Sequence, residues 1–401
     1  MKPRLLIFIN RLVVGGQSID TIPLANHLNN EYDILVVYGE KEKDEMEYTS
    51  LLDNRGVNFK KISSLKRRIN PFNDIHAFFT LFELIRNFKP DIVHTHGAKP
   101  GVIGRLAAWF AKVPVIVHTF HGHLFHSYYN RFVSYIIVRM EKLLGRISTK
   151  VVVLGSEQKR EISERYKIIP SEKIDLIPLG IDENEYTDDA AILRAGFRKK
   201  AHLTDDAVAI SIIGRIVPVK NHLLFIDIII NLLPQIKENV KFFFIGDGYF
   251  KAKLQTHLSN AGITWGNDVQ NCNVKIIFTS WVTPITSVLH GMDIVALTSF
   301  NEGTPVSLIE AQICSKPVVA VDVGGVRDTF INNESGFLIS DHNVAEFTDK
   351  LSLLIQNKEL RRSMGEKGYL FAKEKFSKQT EVNAFRKLYA DCLCFNYKKI
   401  I

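Results

Sequence analysis

Short apolar runs alternate with longer helical patterns along most of this 401-residue chain, and this alternation constrains the fold more than any other feature. It is typical of β-α units whose strands form parallel sheets. The predicted strands of the first half are Leu5–Ile9, Ile34–Tyr38, Ile92–His94, Val115–His118 and Val151–Leu154. Those of the second half are Val208–Ile213, Lys241–Ile245, Val274–Phe278, Ile294–Leu297 and Pro317–Val321. The sequence therefore predicts an α/β protein with two parallel sheets of similar size.

The alternation stops once, in a charged and strand-poor stretch that runs from about Ile177 to Asp206. At roughly 100–200 residues per domain, the chain length fits one domain on either side of this stretch. We predict a first domain over residues 1–178, a hinge or linker over 179–206 and a second domain over 207–375. Residues 376–401 are predicted to form a separate terminal helix, because Phe376–Leu393 has a helical pattern.

Composition excludes several classes of protein. Hydrophobic residues make up 46% of the chain and charged residues 23%, which suits a protein with a packed core and excludes disordered or collagen-like chains. No uncharged apolar stretch approaches the roughly 18–20 residues of a transmembrane helix, and the first apolar run is too short for a signal peptide. The cysteines, Cys272, Cys314, Cys392 and Cys394, lack the spacing of a disulfide framework or a zinc ribbon. We therefore expect a cytoplasmic protein.

The charge is mildly basic, with 51 Lys and Arg against 43 Asp and Glu. This excess alone leaves nucleic acid, anionic lipid and phosphorylated small molecules open as partners, but no motif supports nucleic acid. Two basic and aromatic stretches, residues 60–79 and 125–150, have the composition of segments that lie on an anionic membrane surface. Core aromatic residues beside solvated lysines are the equally weighted alternative, so peripheral contact with the inner face of the cytoplasmic membrane stays open.

A glycine-containing turn follows the first predicted strand. Val13, Val14, Gly15 and Gly16 precede a predicted helix, where adjacent glycines let the backbone approach a ligand and the helix N-terminus offers free N–H groups. The turn matches neither the dinucleotide fingerprint nor the P-loop. An ordinary turn is the alternative interpretation.

Two cations follow the first strand of the second half. Arg215 and Lys220 stand five residues apart around a Pro turn, at the carboxyl end of the strand that leads to Gly214. Ligands of open α/β sheets bind at this edge, and a diphosphate needs such partners. A pair of solvated surface cations is the alternative.

The sharpest motif follows the strand Ile294–Leu297. It reads Ser299-Phe300-Asn301-Glu302-Gly303-Thr304-Pro305-Val306-Ser307-Leu308-Ile309-Glu310-Ala311. Pro305 suits the first turn of a helix and Gly303 permits a tight entry. Backbone N–H groups around Thr304–Ser307 would then form a site for phosphate or for sugar hydroxyls. Glu302 and Glu310 could accept hydrogen bonds from paired hydroxyls.

Taken together, these stretches resemble the GT-B glycosyltransferases of the retaining family 4 type over nearly the whole chain. The matching segments, in order, are VVGGQ, KPDIVHTHGAKPGVIGRLAA, VHTFHGH, IGRIVPVKN, FIGDG and NEGTPVSLIEAQICSKPVVAVDVGGVRD. Within the family the chain looks most like bacterial enzymes that build capsular polysaccharide, exopolysaccharide or O-antigen. The resemblance implies two Rossmann-like domains that face a central cleft, with the C-terminal helix crossing back to the first domain.

The resemblance also implies a donor site. Arg215 and Lys220 would bind the diphosphate of a nucleotide-sugar, most simply a UDP-sugar, and Glu310 would bind the ribose hydroxyls. Val282 falls where the backbone reads the nucleobase, and Gly16 would let the N-terminal loop approach the diphosphate.

By the same resemblance, Glu302 and His121 are the predicted catalytic residues. The transferred sugar and the leaving phosphate would be held by Glu302 together with the backbone of Gly303, Thr304, Pro305 and Val306. His121 corresponds to a histidine near the reacting sugar. The implied reaction retains the anomeric configuration and transfers the sugar to a lipid-linked polysaccharide precursor.

A histidine-rich segment raises the question of a metal. The segment Val93–His126 contains six histidines, which are His94, His96, His118, His121, His123 and His126. No HExxH or comparable ligand spacing accompanies them. The chain also has no Asp-x-Asp motif. We therefore expect no metal and no other cofactor, and assign the leaving-group charge to Arg215, Lys220 and a helix N-terminus.

Two alternatives to a transferase are weighed. A UDP-N-acetylglucosamine 2-epimerase-like enzyme would keep the fold, but the NEGTPVSLIE segment and the spacing of Arg215 and Lys220 follow the transferases. A non-catalytic nucleotide-sugar-binding subunit ranks lower, because Glu302 and His121 are both present.

Overall fold

The computed structural model describes residues 2–13, 16–42, 57–122, 131–271 and 273–400. The chain forms two compact units, one of Met1–Gly180 with Lys378–Ile401 and the other of Ile181–Ser377. Within these described ranges each unit holds one seven-stranded sheet, and the paired strands are all parallel. The predicted α/β class with two parallel-sheet domains is therefore confirmed.

The first unit begins with a β-α alternation. Its strands are β1 (Arg4–Arg11), β2 (Asp33–Gly39), β3 (Asn58–Ile62), β4 (Ile92–His96), β5 (Val115–Phe120), β6 (Lys150–Val153) and β7 (Ile174–Leu176). Its helices are α1 (Gly16–Leu28), α2 (Pro71–Phe88), α3 (Ala98–Phe110), α4 (Arg131–Ile147) and α5 (Ser156–Arg160), and α5 continues into a π-helical turn over Glu161–Arg165. The strand order is β3-β2-β1-β4-β5-β6-β7, which is the doubly wound order of Rossmann-like sheets with its switch point between β1 and β4.

Both faces of this sheet are covered, which explains the continuous apolar runs within β1 and β2. On β1, Leu5 and Ile7 pack into one hydrophobic cluster, while Leu6 and Phe8 pack into the opposite one. Helices α2 and α3 cover the second cluster.

The second unit repeats the plan. Its strands are β8 (Val208–Ile213), β9 (Val240–Ile245), β10 (Trp265–Gly266), β11 (Ile276–Ser280), β12 (Ile294–Leu297), β13 (Val318–Val321) and β14 (Gly336–Ile339), in the order β10-β11-β9-β8-β12-β13-β14. Its helices are α6 (Asn184–Thr187), α7 (Ala190–Lys200), α8 (His222–Leu232), α9 (Lys251–Asn260), α10 (Thr286–Leu289), α11 (Val306–Ile313), α12 (Val344–Gln356) and α13 (Lys358–Lys375).

The last helix, α14 (Lys378–Ile400), belongs to the first unit although it follows the second in the chain. Val382, Phe385, Leu388 and Tyr389 are buried in the cluster that also contains Leu5 and Ile7. The predicted return of the C-terminal helix to the first domain is therefore confirmed.

Four strands lie outside the predicted apolar runs, and they are the four edge strands of the two sheets: β3, β7, β10 and β14. An edge strand has one unpaired side and needs less apolar surface than a central strand. β3 reads NFKKI and β10 has two residues, so neither produces a run that stands out in the sequence.

The segment 179–206, predicted to be a hinge or linker, has a different place in the structure. Residues 181–206 form α6 and α7 and belong to the second unit, and the chain crosses between the units at Gly180 and at Ser377. Arg194 and Arg198 on α7 both bind the carboxylate of Asp293, at 2.8 and 3.0 Å. That carboxylate lies almost 100 residues away in the sequence, so the charges of α7 look like a solvated linker when the sequence is read alone.

Among the described residues, no helix is both long enough and apolar enough to span a bilayer.

Candidate active site

In the second unit, the loops that follow β8 and β12 meet because these strands are neighbours in the sheet. Lys220 Nζ donates to Glu302 Oε1 at 2.6 Å, and Ser299 Oγ donates to the same oxygen at 2.5 Å. Thr298 Oγ1 donates to the carbonyl of Asn221 at 3.0 Å and so ties the two loops together. The structure thus brings two of the predicted site residues, Lys220 and Glu302, into direct contact.

The loop that carries Glu302 rests on a glycine turn after β13. Gly324 has φ +52°, and a Cβ atom there would lie 2.0 Å from the carbonyl oxygen of Glu302. The N–H of Gly325 donates to that same oxygen at 3.1 Å. Only glycine allows this approach, so the VGG turn of the motif fixes the backbone of Glu302.

The sequence predicted Pro305 in the first turn of a helix. Helix α11 begins one residue later, at Val306. Pro305 has an extended backbone (φ −72°, ψ 98°) and precedes the helix as its cap residue. Gly303 and Thr304 are half-buried in the entry loop. The first-turn N–H groups of Val306 and Ser307 have no partner within the helix, so they can serve a bound anion.

Glu310 is buried in the second turn of α11, and its Oε1 accepts a hydrogen bond from the Tyr186 hydroxyl at 2.8 Å. Burial raises the pKa of Glu310, and the hydrogen bond from Tyr186 opposes that rise. Oε2 remains as an acceptor suited to a hydroxyl. Tyr186 was not predicted, since it lies 124 residues away in the segment taken for a linker.

Arg215 and Val282 lie in loops at the same edge of this sheet. Arg215 is exposed in the loop between β8 and Lys220, and Val282 is half-buried just after β11. Gly246, at the end of β9, has φ +125°, and a Cβ atom there would lie 2.1 Å from the Gly214 carbonyl oxygen. This packing of FIGDG against IGR holds the start of the loop that carries Arg215.

In the first unit, His121 follows β5 and lies beside histidines of β4. Its Nε2 is 2.9 Å from Nδ1 of His96, so one of these nitrogens donates to the other. His94 contacts the hydroxyls of Tyr389 and Thr119, both at 2.7 Å. His123 and His126 lie outside the described residues.

Burial keeps this histidine group neutral. Burial holds the pKa values of His94, His96 and His118 well below the ordinary value of 6.5, and the Arg105 charge lowers the pKa of His118 further. Burial also lowers the pKa of His121, although the Asp20 carboxylate opposes the change. These four imidazoles are therefore neutral at pH 7.

An acidic residue that was not predicted completes this group. Asp20 on α1 is buried, and its Oδ2 lies 4.0 Å from His121 Nδ1. Lys378, the first residue of α14, places Nζ 3.5 Å from Asp20 Oδ1 and 2.5 Å from Glu381 Oε2. Asp20 stands four residues after Gly16, which is the first residue of α1, but Val14 and Gly15 of the predicted turn lie outside the described residues.

Asp20, His96 and His121 offer ligand atoms within 4.8 Å of one another, which is close enough to hold a metal ion. The donor set of two imidazoles and one carboxylate suits a transition metal. However, the Lys378 ammonium already neutralises the Asp20 carboxylate, and a divalent cation there would be repelled. The absence of a metal remains a prediction.

Comparison with known proteins bears on both units. A model described as "Glycosyltransferase Family 4" matches residues 14–185, and one described as "Glycosyl transferases group 1" matches residues 194–371. The chain belongs to the family 4 type of GT-B glycosyltransferases. The prediction of an enzyme is thereby confirmed.

Relatives of this glycosyltransferase carry transferase names. It is 28% identical over 353 residues to UDP-Gal:alpha-D-GlcNAc-diphosphoundecaprenol alpha-1,3-galactosyltransferase of Escherichia coli, covering 86% of this chain and 85% of the relative. It is 26% identical over 317 residues to the capsular polysaccharide biosynthesis glycosyltransferase CapM of Staphylococcus aureus, covering 79% and 80%. Neither name supports the epimerase alternative.

Solved structures support the fold. A glycosyltransferase from Rickettsia africae superimposes with a TM-score of 0.77 at 23% identity, over 98% of this chain and 99% of that one. HepE of Anabaena in complex with UDP has a TM-score of 0.77 at 18% identity, over 97% and 100%.

Proposed function

We propose that this glycosyltransferase moves a sugar from a UDP-sugar to a hydroxyl of a lipid-linked polysaccharide precursor, with retention of configuration and without a metal. The observation that carries the proposal is the contact between Lys220 and Glu302 beside the start of α11. It joins a cation for a diphosphate and a carboxylate for sugar hydroxyls at the edge of the sheet where ligands bind.

Donor binding would exchange the partners of Lys220. The ammonium, now paired with Glu302, would turn to the diphosphate as a mobile point charge, and Arg215 would supply a planar fork. The N–H groups at the start of α11 would bind the phosphate that leaves. Glu302, released from Lys220 but still held by Ser299, would then accept hydroxyl groups of the transferred sugar.

In this proposal the anomeric configuration is retained because the acceptor attacks the face of the sugar from which the phosphate leaves. The acceptor oxygen bonds to the anomeric carbon as the bond from that carbon to the phosphate oxygen breaks. The departing phosphate takes the acceptor proton. Lys220, Arg215 and the start of α11 would stabilise the negative charge on the diphosphate, a task that other enzymes give to a metal.

The choice of substrates draws on relatives. The E. coli relative is named for UDP-Gal and for a diphosphoundecaprenol acceptor. A Campylobacter jejuni relative, 21% identical over 363 residues, is named for a diphospho-undecaprenol acceptor as well. A UDP-hexose donor and a sugar-diphosphate-lipid acceptor are therefore the first pair to test.

The test incubates the purified protein with UDP-, GDP-, ADP- and dTDP-sugars in a thermal-shift panel, and then with a GlcNAc-diphosphate-lipid acceptor. We expect selective stabilisation by UDP-sugars, transfer in the presence of EDTA, and a retained anomeric configuration in the product by NMR. An inverted product, loss of transfer in EDTA, or stabilisation by another nucleotide alone would each contradict the corresponding part of the proposal.

We also propose that the first unit contacts the membrane through α2 and the loop before it. Ile69, Phe72, Ile75 and Phe79 expose between 57% and 86% of their surface. Ile75 and Phe79 line an apolar groove between α2 and α3 of about 430 Å³, to which Phe78, Val102, Ile103 and Leu106 also contribute. Such a patch is unusual on a monomeric protein surface and marks an interaction site.

Charge favours a lipid partner for this patch. Lys66, Arg67 and Arg68 are exposed immediately before Ile69, so cations border the apolar surface as anionic lipid requires. The stretch 125–150 contributes similar features on α4, where Phe132 and Leu143 expose 72% and 61%. Residues 125–130 lie outside the described part of the chain.

Replacing Phe72 and Phe79 by Ser is expected to weaken binding to anionic vesicles by at least about 100-fold, since each of the two rings inserted into lipid contributes roughly 1.5 kcal/mol or more. Co-sedimentation with phosphatidylglycerol vesicles measures the effect. Ile192→Ser removes an equally exposed side chain from the second unit and should change nothing. The proposal would be contradicted if the wild type bound neutral and anionic vesicles equally well. It would also be contradicted if the double variant bound anionic vesicles as well as the wild type.

A further inference from the structure

Asp20 is a buried carboxylate with a positive partner on one side and an imidazole on the other. The Lys378 ammonium lies 3.5 Å from Oδ1, and the same ammonium donates to the Asp20 carbonyl oxygen at 3.2 Å. On the other side, Oδ2 lies 4.0 Å from Nδ1 of His121. The side chains of Asp20 and Lys378 expose only 2% and 4% of their surface, so water screens neither contact strongly.

Two carboxyl groups share this one ammonium, because Lys378 Nζ also lies 2.5 Å from Glu381 Oε2. One buried cation neutralises one carboxylate, so the second acid is expected to keep its proton. Burial raises the pKa of Glu381 well above its ordinary value, and the neighbouring Asp20 charge raises it further. Burial would also raise the pKa of Asp20, but Lys378 and hydrogen bonding from Glu381 outweigh it and lower the pKa. These directions assign the charge to Asp20, although Lys378 Nζ lies closer to Glu381 Oε2, at 2.5 Å, than to Asp20 Oδ1, at 3.5 Å.

An ionised carboxylate beside Nδ1 of His121 determines where the proton of that imidazole lies. It favours the tautomer with hydrogen on Nδ1, which leaves Nε2 as an acceptor. Nε2 then accepts from the Nδ1–H of His96 at 2.9 Å, and Thr21 Oγ1 lies 3.5 Å from that same His96 nitrogen. His96 therefore donates to His121, and the Nδ1–H of His121 faces the Asp20 carboxylate at 4.0 Å, which is too long for a hydrogen bond but close enough for the charge to act on the tautomer.

We propose that Asp20 is a positioning residue for His121, and that Lys378 at the start of α14 keeps Asp20 ionised for this task. The proposal rests on the proposed function, because the place of His121 beside the reacting sugar comes from the family resemblance. It adds two residues that no sequence motif marks, one on α1 and one on α14.

The same atoms could instead form a metal site, and the two possibilities predict different behaviour. A metal bound by Asp20, His96 and His121 would have to break the hydrogen bond between the imidazoles and approach the Lys378 ammonium. The positioning proposal needs neither change. It therefore predicts no bound metal in the purified protein and no loss of transfer with chelator.

The experiment compares Asp20→Asn with Glu381→Gln in the full-length protein. Each substitution replaces a buried acid beside Lys378 by its amide, but only Asp20 carries charge. Nitrogen NMR of labelled histidines reports the tautomer of His121, and a transfer assay gives kcat and the KM for the donor. We expect hydrogen on Nδ1 of His121 in the wild type and in Glu381→Gln.

In Asp20→Asn we expect a mixture of His121 tautomers and a kcat lower by about 10–100-fold, with the donor KM changed less than about twofold. Lys378 keeps Glu381 as its partner in this variant, so the fold should survive. If Asp20→Asn does not fold, the tautomer of His121 in the wild-type protein tests the proposal by itself. Hydrogen on Nε2 of His121 would overturn the proposal.

Other outcomes separate the proposal from the proposed function. The expected tautomers without transfer from any donor would refute the function and leave the Asp20–His121 pairing intact. If the wild-type enzyme is active, a wild-type kcat in Asp20→Asn would refute the positioning role. A larger fall of kcat in Glu381→Gln than in Asp20→Asn would refute it as well. A metal bound stoichiometrically to the wild-type protein and absent from Asp20→Asn would show that these residues form a metal site instead.

Discussion

Replacing Glu302 by Gln is expected to reduce sugar transfer by about 10²–10³-fold while UDP binding is kept or strengthened. The carboxylate charge that would hold the sugar is lost, and removal of one preorganised electrostatic contact typically costs this much in rate. At the same time Lys220 loses the anionic partner that now holds it at 2.6 Å, so its ammonium becomes more available to the diphosphate. The two effects have opposite signs in one variant.

The measurements are kcat for transfer and the dissociation constant of UDP by calorimetry. Glu334→Gln is the matched control, because Glu334 also pairs with a lysine of the second unit, Lys367, but at an exposed site. It should leave both quantities unchanged. Transfer at the wild-type rate in Glu302→Gln would remove Glu302 from the site, and a loss of UDP binding would contradict the exchange of Lys220 between Glu302 and the diphosphate.

Acidification below pH 6.5 is expected to destabilise the protein steeply through the buried histidines of the first unit. The pKa values of His94, His96 and His118 are well below 6.5 in the folded chain, so the unfolded chain binds up to three more protons than the folded chain as pH falls. Stability from this source is present above pH 6.5 and is lost below it. The lowered pKa of His121 acts in the same direction.

Glu381 opposes this trend. Its pKa is raised well above 4.5 in the folded chain, so the folded state holds one proton that the unfolded state releases above about pH 4.5. Burial lowers the pKa of His222 to about 3, which adds a fourth proton on the unfolded side, and burial raises the pKa of Glu310, which adds a second proton on the folded side. Four protons less two leaves two, and His121 makes the slope steeper. At about 1.4 kcal/mol per proton and pH unit, the unfolding free energy should fall by about 3 kcal/mol per unit below pH 6.5.

Urea unfolding at pH 7.5, 6.5 and 5.5 measures this slope. In His118→Gln the slope should fall by about 1.4 kcal/mol per pH unit, whatever the substitution does to stability at pH 7.5. His76→Gln on the exposed side of α2 serves as the control and should keep the wild-type slope. An unchanged slope in His118→Gln would show that His118 titrates alike in the folded and unfolded states.

The central strands and the donor-site loops are visible in the sequence because each depends on local chemistry. A strand buried on both faces must be largely apolar, as β8 and β9 are apart from Ser211 and Lys241. The backbone of Glu302 packs so closely against the turn after β13 that the turn needs a glycine at the contact. The VGG segment supplies Gly324 there. These requirements act on neighbouring residues, so a single sequence displays them.

Partners from distant parts of the chain are not visible in this way. Tyr186 reaches Glu310 across 124 residues, and Lys378 reaches Asp20 across 358. In the sequence, Tyr186 belongs to a charged stretch that looks like a linker, and Lys378 looks like an ordinary helix-end cation. Their burial beside a carboxyl group gives them their roles, and burial is a property of the folded chain.

The alternation of apolar runs was sufficient by itself to predict two parallel sheets, since that pattern is typical of β-α units. The order of its motifs determined the family. Tertiary structure alone decided that residues 181–206 belong to the second unit, that α14 supplies Lys378 to the first, and that Asp20 stands beside His121. The reason is physical: apolar periodicity is local, whereas the charge of a buried acid depends on which distant groups exclude water from it.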